Sequence, residues 1–231
     1  RFRLTSIVIS ESQQISAAGL AACRDCLHLT QLWLANVSIG DAGLEPFRQC
    51  KKLTVLKLQN TNATEVGLAY FSGCRDLTDL GLSGPLVTDL GLATFKDCQK
   101  LKSLALTATQ VTEKGIGHFQ DCRNLQSIFI HIAPLGDAAL ARLKIFPKLN
   151  QLVFGGTQVT NAGLASLQDL RSLTSLSLGS TPQLDDASVE HLKKLTNLTE
   201  LGLIQTKLTA AGIAELKKAL PNCKIETDVK P

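Results

Sequence analysis

The residues of this chain best suited to chemistry are its sulfurs. Cys23-Arg-Asp-Cys26 places two thiols at the spacing of half a zinc site or of a redox pair. A tetrahedral zinc needs two further ligands, and no second C-x-x-C or histidine pair lies nearby. Cys26, Cys50, Cys74, Cys98 and Cys122 instead recur every 24 residues, and further on the same position reads Phe146, Leu170 and Leu195. An apolar residue is what the position asks for, so the thiols are read as a buried column of small hydrophobes, with Cys23 in the neighbouring buried position. No metal or cofactor is expected. Disulfides are not expected either, because the count of seven cysteines is odd, and unpaired thiols point to a cytoplasmic setting.

The four histidines do not converge. His28, His118 and His191 fall on the outer side of three different repeats, while His131 falls on the strand side. The chain has no glycine-rich phosphate loop, no H-E-x-x-H and no G-x-S-x-G. Asp185-Asp186 stands at an expected helix start, where carboxylates serve as caps. No catalytic residue is assigned, and the chain is read as not an enzyme, with no small-molecule substrate. Lys51, Arg75, Arg123 and Arg171, joined by Lys52, Lys100 and Lys148, form a basic column that could follow a phosphate backbone. Asp97, Asp121 and Asp169 sit two residues away, aromatics for base stacking are missing there, and the net charge is only +4, so nucleic acid is not expected as a partner. No run approaches the ~18 apolar residues of a membrane span, and no membrane association is expected. The start, RFRLTSIVIS, and the lack of any Met suggest a piece of a longer chain.

What positions all these residues is a repeat. With position 1 at the first Leu of L-x-x-L-x-L, repeats 1 to 9 begin at Leu4, Leu29, Leu53, Leu77, Leu101, Leu125, Leu149, Leu173 and Leu198. The consensus is L-x-x-L-x-L-x-x-T-x-V-T-x-x-G-L-x-x-F/L-x-x-C/L. Its first part alternates with period 2, as in Leu104 and Leu106, and predicts a strand; Ile116, Phe119 and Cys122 lie on one helical face and predict a helix. Thr64, Thr88, Thr112, Thr160 and Thr209 precede that helix as capping hydroxyls. Glycine recurs at position 15, with Ala139 and Ser188 as exceptions, and predicts close approach of helix to sheet. One repeat cannot bury its own leucines, so stability must come from stacking.

This pattern resembles the leucine-rich repeat, L-x-x-L-x-L-x-x-N/C-x-L, over essentially the whole chain. Within that family it looks most like the cysteine-containing class of F-box substrate receptors and like bacterial arrays that carry "VTDxGL" and end in "LPNCKI", as Leu220 to Ile225 do here. The resemblance implies an α/β solenoid, a horseshoe with a parallel sheet on its concave face and helices on its convex face. It implies a single domain over residues 1–231, with residues 221–231 as a C-terminal cap. One departure is that position 9 carries Thr61, Thr109, Thr157, Thr181 and Thr206 in place of Asn or Cys, and Val37, Pro85 and Ala133 should hold their turns less firmly.

Strand positions that point away from the core should line the concave face, and they are poor in charge. The candidate partner-binding residues are Trp33, Val55, Lys57, Asp79, Phe129, His131, Val153 and Glu200, with the two aromatics as anchors among small and polar neighbours. They suit a protein or peptide partner, and the expected function is non-enzymatic protein–protein interaction. Two alternatives stand beside it. Trp33 and Phe129 could simply cover small neighbours, or the array could be a structural or regulatory arm of a larger protein, bacterial-kinase or ubiquitin-ligase-like.

Overall fold

Alternate side chains of an extended chain point to opposite faces, so the paired leucines of each repeat must enter the core together. The computed structural model describes residues 3–11 and 15–229, and in it Leu32, Leu34, Leu104 and Leu106 are 0% exposed. The chain divides into two compact units, Arg1–Asn124 and Leu125–Pro231. The first holds β1 (Ser6–Ser10), β2 (Gln31–Ala35), β3 (Val55–Gln59), β4 (Asp79–Ser83) and β5 (Ser103–Thr107). These pair in parallel, in sequence order, each shifted by one whole repeat. The second holds β6 (Ser127–His131), β7 (Gln151–Gly155), β8 (Ser175–Ser177), β9 (Glu200–Gly202) and β10 (Lys224–Glu226), paired in the same way.

Behind each sheet lie short helical segments, among them α1 (Ala17–Leu20), α2 (Gly40–Leu44), α3 (Glu65–Ala69), α4 (Asp89–Ala93) and α5 (Glu113–Gly117) in the first unit. The second has α6 (Asp137–Arg142), α7 (Val189–Leu192) and α8 (Ala210–Ala219). Between sheet and helices run the leucine rows and a column of Phe47, Phe71, Phe95 and Phe119, all at most 1% exposed. Each such side chain contributes about 1.5–3 kcal/mol through apolar burial. Threonine hydroxyls at position 2 add a ladder: Thr30, Thr54 and Thr78 each donate to the carbonyl of the same position one repeat earlier, at 3.0–3.1 Å. This is a leucine-rich-repeat solenoid, as the repeat pattern predicts.

Four details differ from the sequence reading. The segment expected as a cap contributes a tenth strand, β10, beside β9, and the last two residues of that cap, 230 and 231, lie outside the described ones. Repeat 7 forms a 3-10 helix, Ala162–Asp169, that has no side-chain cap. Of the expected capping hydroxyls, those of Thr64, Thr112 and Thr209 accept helix amides, whereas Thr88 Oγ1 is buried without a partner. Several position 15 glycines are set by the neighbouring repeat's helical segment rather than by the sheet: a Cβ on Gly67 or Gly163 would overlap Asp41 or Asp137, whereas one on Gly43 would meet Ile39 of its own repeat.

The chain leaves each of β1 to β9 through one residue of positive φ at position 8: Glu11, Asn36, Asn60, Gly84, Ala108, Ile132, Gly156, Ser180 and Gln205. Asparagine and glycine suit this conformation, and a β-branched residue such as Ile132 does not.

Candidate functional site

Residues at positions 3, 5 and 7 stand on the helix-free face of each sheet. In the first unit the central row runs Val8, Trp33, Lys57, Gly81, Ala105 across β1 to β5. Val8 and Trp33 are 59% and 38% exposed. The Lys57 ammonium lies 4.8 Å from the centre of the Trp33 ring, a cation–π contact that holds both side chains in place. Beyond them the row drops to Gly81 and Ala105, leaving a hollow whose rim is Asn36, Gln59, Asn60, Ser83 and Thr107. The rim is ordered from within: Asn60 Nδ2 donates to Asn36 Oδ1 at 2.9 Å, and Ser83 Oγ to Asn60 Oδ1 at 3.2 Å. Val55 and Asp79 occupy the adjacent row as register partners, both half-buried, and Asp79 Oδ2, 2.6 Å from the Thr78 hydroxyl, shares that hydroxyl's one proton with the Thr54 carbonyl at 3.1 Å.

In the second unit Phe129 is 40% exposed and pairs with half-buried Val153 across β6 and β7. His131 sits two residues on, its ring centre 6.4 Å from that of Phe129 and tilted 47° to it. Ile132, 54% exposed, follows at the strand end. Glu200 does not join this group. It lies on β9, accepts the Ser175 hydroxyl at 3.0 Å and shares a second hollow with Lys224 and Glu226, which are themselves paired at 2.6 Å. The eight sequence-derived residues thus form Trp33 with Lys57, Val55 with Asp79, and Phe129 with Val153 and His131, while Glu200 stands apart. Lys224, Glu226 and the asparagines of the rim went unselected because β10 lacks the leucine pattern and because position 8 mixes seven residue types.

The cysteine column has a more definite use than filling. Cys50, Cys74, Cys98 and Cys122 each donate Sγ–H to the carbonyl of the cysteine one repeat earlier, at 3.3–3.6 Å. The carbonyls of Cys26, Cys74 and Cys98 also accept the backbone N–H of Leu29, Leu77 and Leu101, so the thiol adds a second, weak bond that leucine could not make. Burial pushes these thiols up, to about 11 for Cys50, Cys74 and Cys122 and about 12 for Cys98. They are poor nucleophiles near neutral pH. Cys23 and Cys26 correct the expectation of full burial: they are half-buried, since no described repeat packs on their outer side. Desolvation raises Cys23, with the Cys26 thiol adding to it.

Two members of the basic column are held by neighbours within the fold. Lys51 Nζ donates to the Tyr70 and Ser72 carbonyls at 2.8 and 2.7 Å, and Lys100 pairs with Asp76 at 2.6 Å. Of the outer histidines, His191 lies 3.4 Å from Gln168 Nε2. Among the described residues no group of three or more His, Cys, Asp or Glu could hold a metal ion, and no helix is long and apolar enough to cross a membrane.

Stacked strand–helix units of 24 or 25 residues, sealed by leucine and phenylalanine columns, define the class as a leucine-rich-repeat solenoid. The chain belongs to that family: residues 16–145 match six copies of the BspA-type leucine-rich repeat region. A crystal structure of an internalin from Listeria monocytogenes strain 4b F2365 is similar over 99% of this chain and 87% of that one, with 19% identity and a TM-score of 0.50. Identity that low shows the fold alone. No curated protein matches this chain.

Proposed function

We propose that residues 1–231 serve as a non-enzymatic interaction module that holds a protein or peptide partner on its helix-free, concave face. The observation that carries this is the Trp33–Lys57 pair. A large aromatic is left 38% exposed in a sheet surface of small and amide side chains, and it is braced by a cation 4.8 Å from its ring. Exposed, immobilised aromatics of this kind anchor interfaces at little entropic cost. Lys57 makes no ion pair among the described residues, so a partner carboxylate there would add a charge-assisted contact. Phe129, with Val153 and His131, supplies a second anchor in the other unit; Val55, Asp79 and Glu200 adjust specificity. Seven free cysteines fit a cytoplasmic, reducing setting.

One observation favours the alternative of a structural or regulatory arm in a larger protein. Leu4, Val8 and Leu27 of the first repeat are 43–59% exposed, a surface suited to packing against further protein. The test is capture from lysate of the source cell by the immobilised chain, comparing wild type with Trp33→Ala, Lys57→Glu and Phe129→Ala, each shown to be folded by circular dichroism. A protein lost with Trp33→Ala, with affinity down by about fivefold or more, is the expected result. Equal capture by wild type and all three variants would remove this face from the binding site and favour the arm.

A further inference from the structure

Position 13, at or beside the start of the helical segment, is aspartate in every second repeat: Asp41, Asp89, Asp137 and Asp186, in repeats 2, 4, 6 and 8. Repeats 3, 5, 7 and 9 carry Glu65, Glu113, Asn161 and Ala210 there. Each aspartate reaches forward into the next repeat. Its Oδ1 accepts the backbone N–H of Thr64, Thr112, Thr160 or Thr209 at 2.8 Å, and its Oδ2 accepts the same threonine's hydroxyl at 2.6–2.8 Å. Asp41 also accepts the Gly67 N–H at 3.0 Å. The carboxylate then occupies the space a side chain would take at position 15, because a Cβ on Gly67, Gly115, Gly163 or Gly212 would overlap Oδ1. The two exceptions to that glycine, Ala139 and Ser188, fall in repeats 6 and 8, which follow no such aspartate.

The joint between repeats 3 and 4 has the receiving half of this clamp and lacks the aspartate. Thr88 and Gly91 are in place, yet Thr88 Oγ1 is buried without a partner, and Glu65, exposed, stands where the carboxylate should be. The Cα of Glu65 lies 3.9 Å from where a Gly91 Cβ would sit, against 3.1 Å from Asp41 Cα to a Gly67 Cβ, so the backbones approach less closely. The joint between repeats 7 and 8 is tied differently, by Asn161 donating to Asp185 Oδ1 at 2.7 Å.

We infer that the first unit is built from rigid, clamped repeat pairs, 2–3 and 4–5, and that it flexes at the unclamped joint between repeats 3 and 4. This hinge runs beneath the candidate site. Trp33 and Lys57 belong to one clamped pair, Gly81 and Ala105 to the next, and the hollow rimmed by Asn36, Gln59, Asn60, Ser83 and Thr107 crosses the joint. A ligand entering the hollow would meet the part of the sheet that adjusts most readily, while the anchors beside it stay fixed relative to each other. The inference rests on the clamps and stands whether or not the hollow binds anything.

The test is to close the hinge with one substitution. Glu65→Asp puts the missing carboxylate opposite Thr88 and Gly91, at some cost in helix propensity. The expected result is a melting temperature raised by a few degrees and exchange of the Thr88 amide hydrogen slowed by about tenfold or more. A Cβ on Gly91 would also press on Leu68 Cδ1, at 2.7 Å, so the control is Gly91→Ala alone: in that background, where the methyl occupies the carboxylate's place, Glu65→Asp should give neither gain. A melting temperature and Thr88 exchange rate unchanged by Glu65→Asp would overturn the inference, as would a gain that survives in the Gly91→Ala background.

Discussion

Ile132 shows how much a single residue can report. Its φ of 57° is one that a β-branched side chain rarely adopts, and the side chain is 54% exposed, so burial does not offset the strain. Asn36 and Asn60 occupy the same position four and three repeats earlier with φ of 55° and 50°, a conformation asparagine tolerates. Ile132→Asn is therefore expected to stabilise the second unit by about 1 kcal/mol, read as a higher urea midpoint at unchanged slope. A midpoint that falls would mean that Ile132 contacts within the repeat outweigh its backbone strain. At this scale the sequence was only partly legible. Trp33 and Phe129 could be placed on the open face because period 2 fixes which side of a strand faces the core. The positive φ at position 8 could not, because Ala108, Ser180 and Gln205 share it with asparagine and glycine, and their side chains give no local signal of it.

Between neighbouring helical segments the deciding groups are the aspartate clamps, and these were hidden from a reading that superposed all repeats at 24 residues. Asp41, Asp89 and Asp137 are 48 residues apart, so averaging every repeat merges them with Glu65 and Glu113 as one acidic helix start. The glycine that accommodates them was legible, but its reason was not. Gly163 tests that reason, since the nearest atoms to a Cβ there all belong to Asp137. Helix propensity alone makes Gly163→Ala favourable by up to about 1 kcal/mol, whereas overlap with the clamp predicts a net loss of about 2 kcal/mol in urea unfolding. Asp186 adds a dependence on pH. The Thr209 hydroxyl, then the Thr209 N–H, hold its carboxyl below the ordinary value of 3.8. Folding thus favours the ionised form: its stabilisation is complete above the ordinary value and is lost as pH falls through the lowered one. Asp186→Asn should flatten the acid limb of stability against pH below about pH 4, and an identical acid limb in the variant would rule the clamp out as its source.

Across a whole unit, stability is set by how many neighbours each repeat has, because no repeat seals its own core. The first unit shows the gradient directly. In repeat 1, Ile7 and Ile9 are half-buried and Leu4 is 43% exposed, while Leu29, Leu32 and Leu34, their counterparts in repeat 2, are 0% exposed. The cysteine column follows the same gradient, from half-buried Cys26 to Cys50 at 0%. In the second unit the last repeat is better covered, since α8 runs ten residues and buries Ile213 and Leu216, and β10 pairs with β9. Leucine spacing made the stacking itself plain from sequence; it could not show which end lies open, because the motif reads alike in the first repeat and the second. Native-state hydrogen exchange should therefore rank the amides of β1 well below those of β3 and β4, with β1 opening locally at a free energy several-fold smaller than global unfolding. Protection that is uniform from β1 to β4 would show instead that the unit opens only as a whole, and that the half-buried first repeat is held as tightly as the sealed ones.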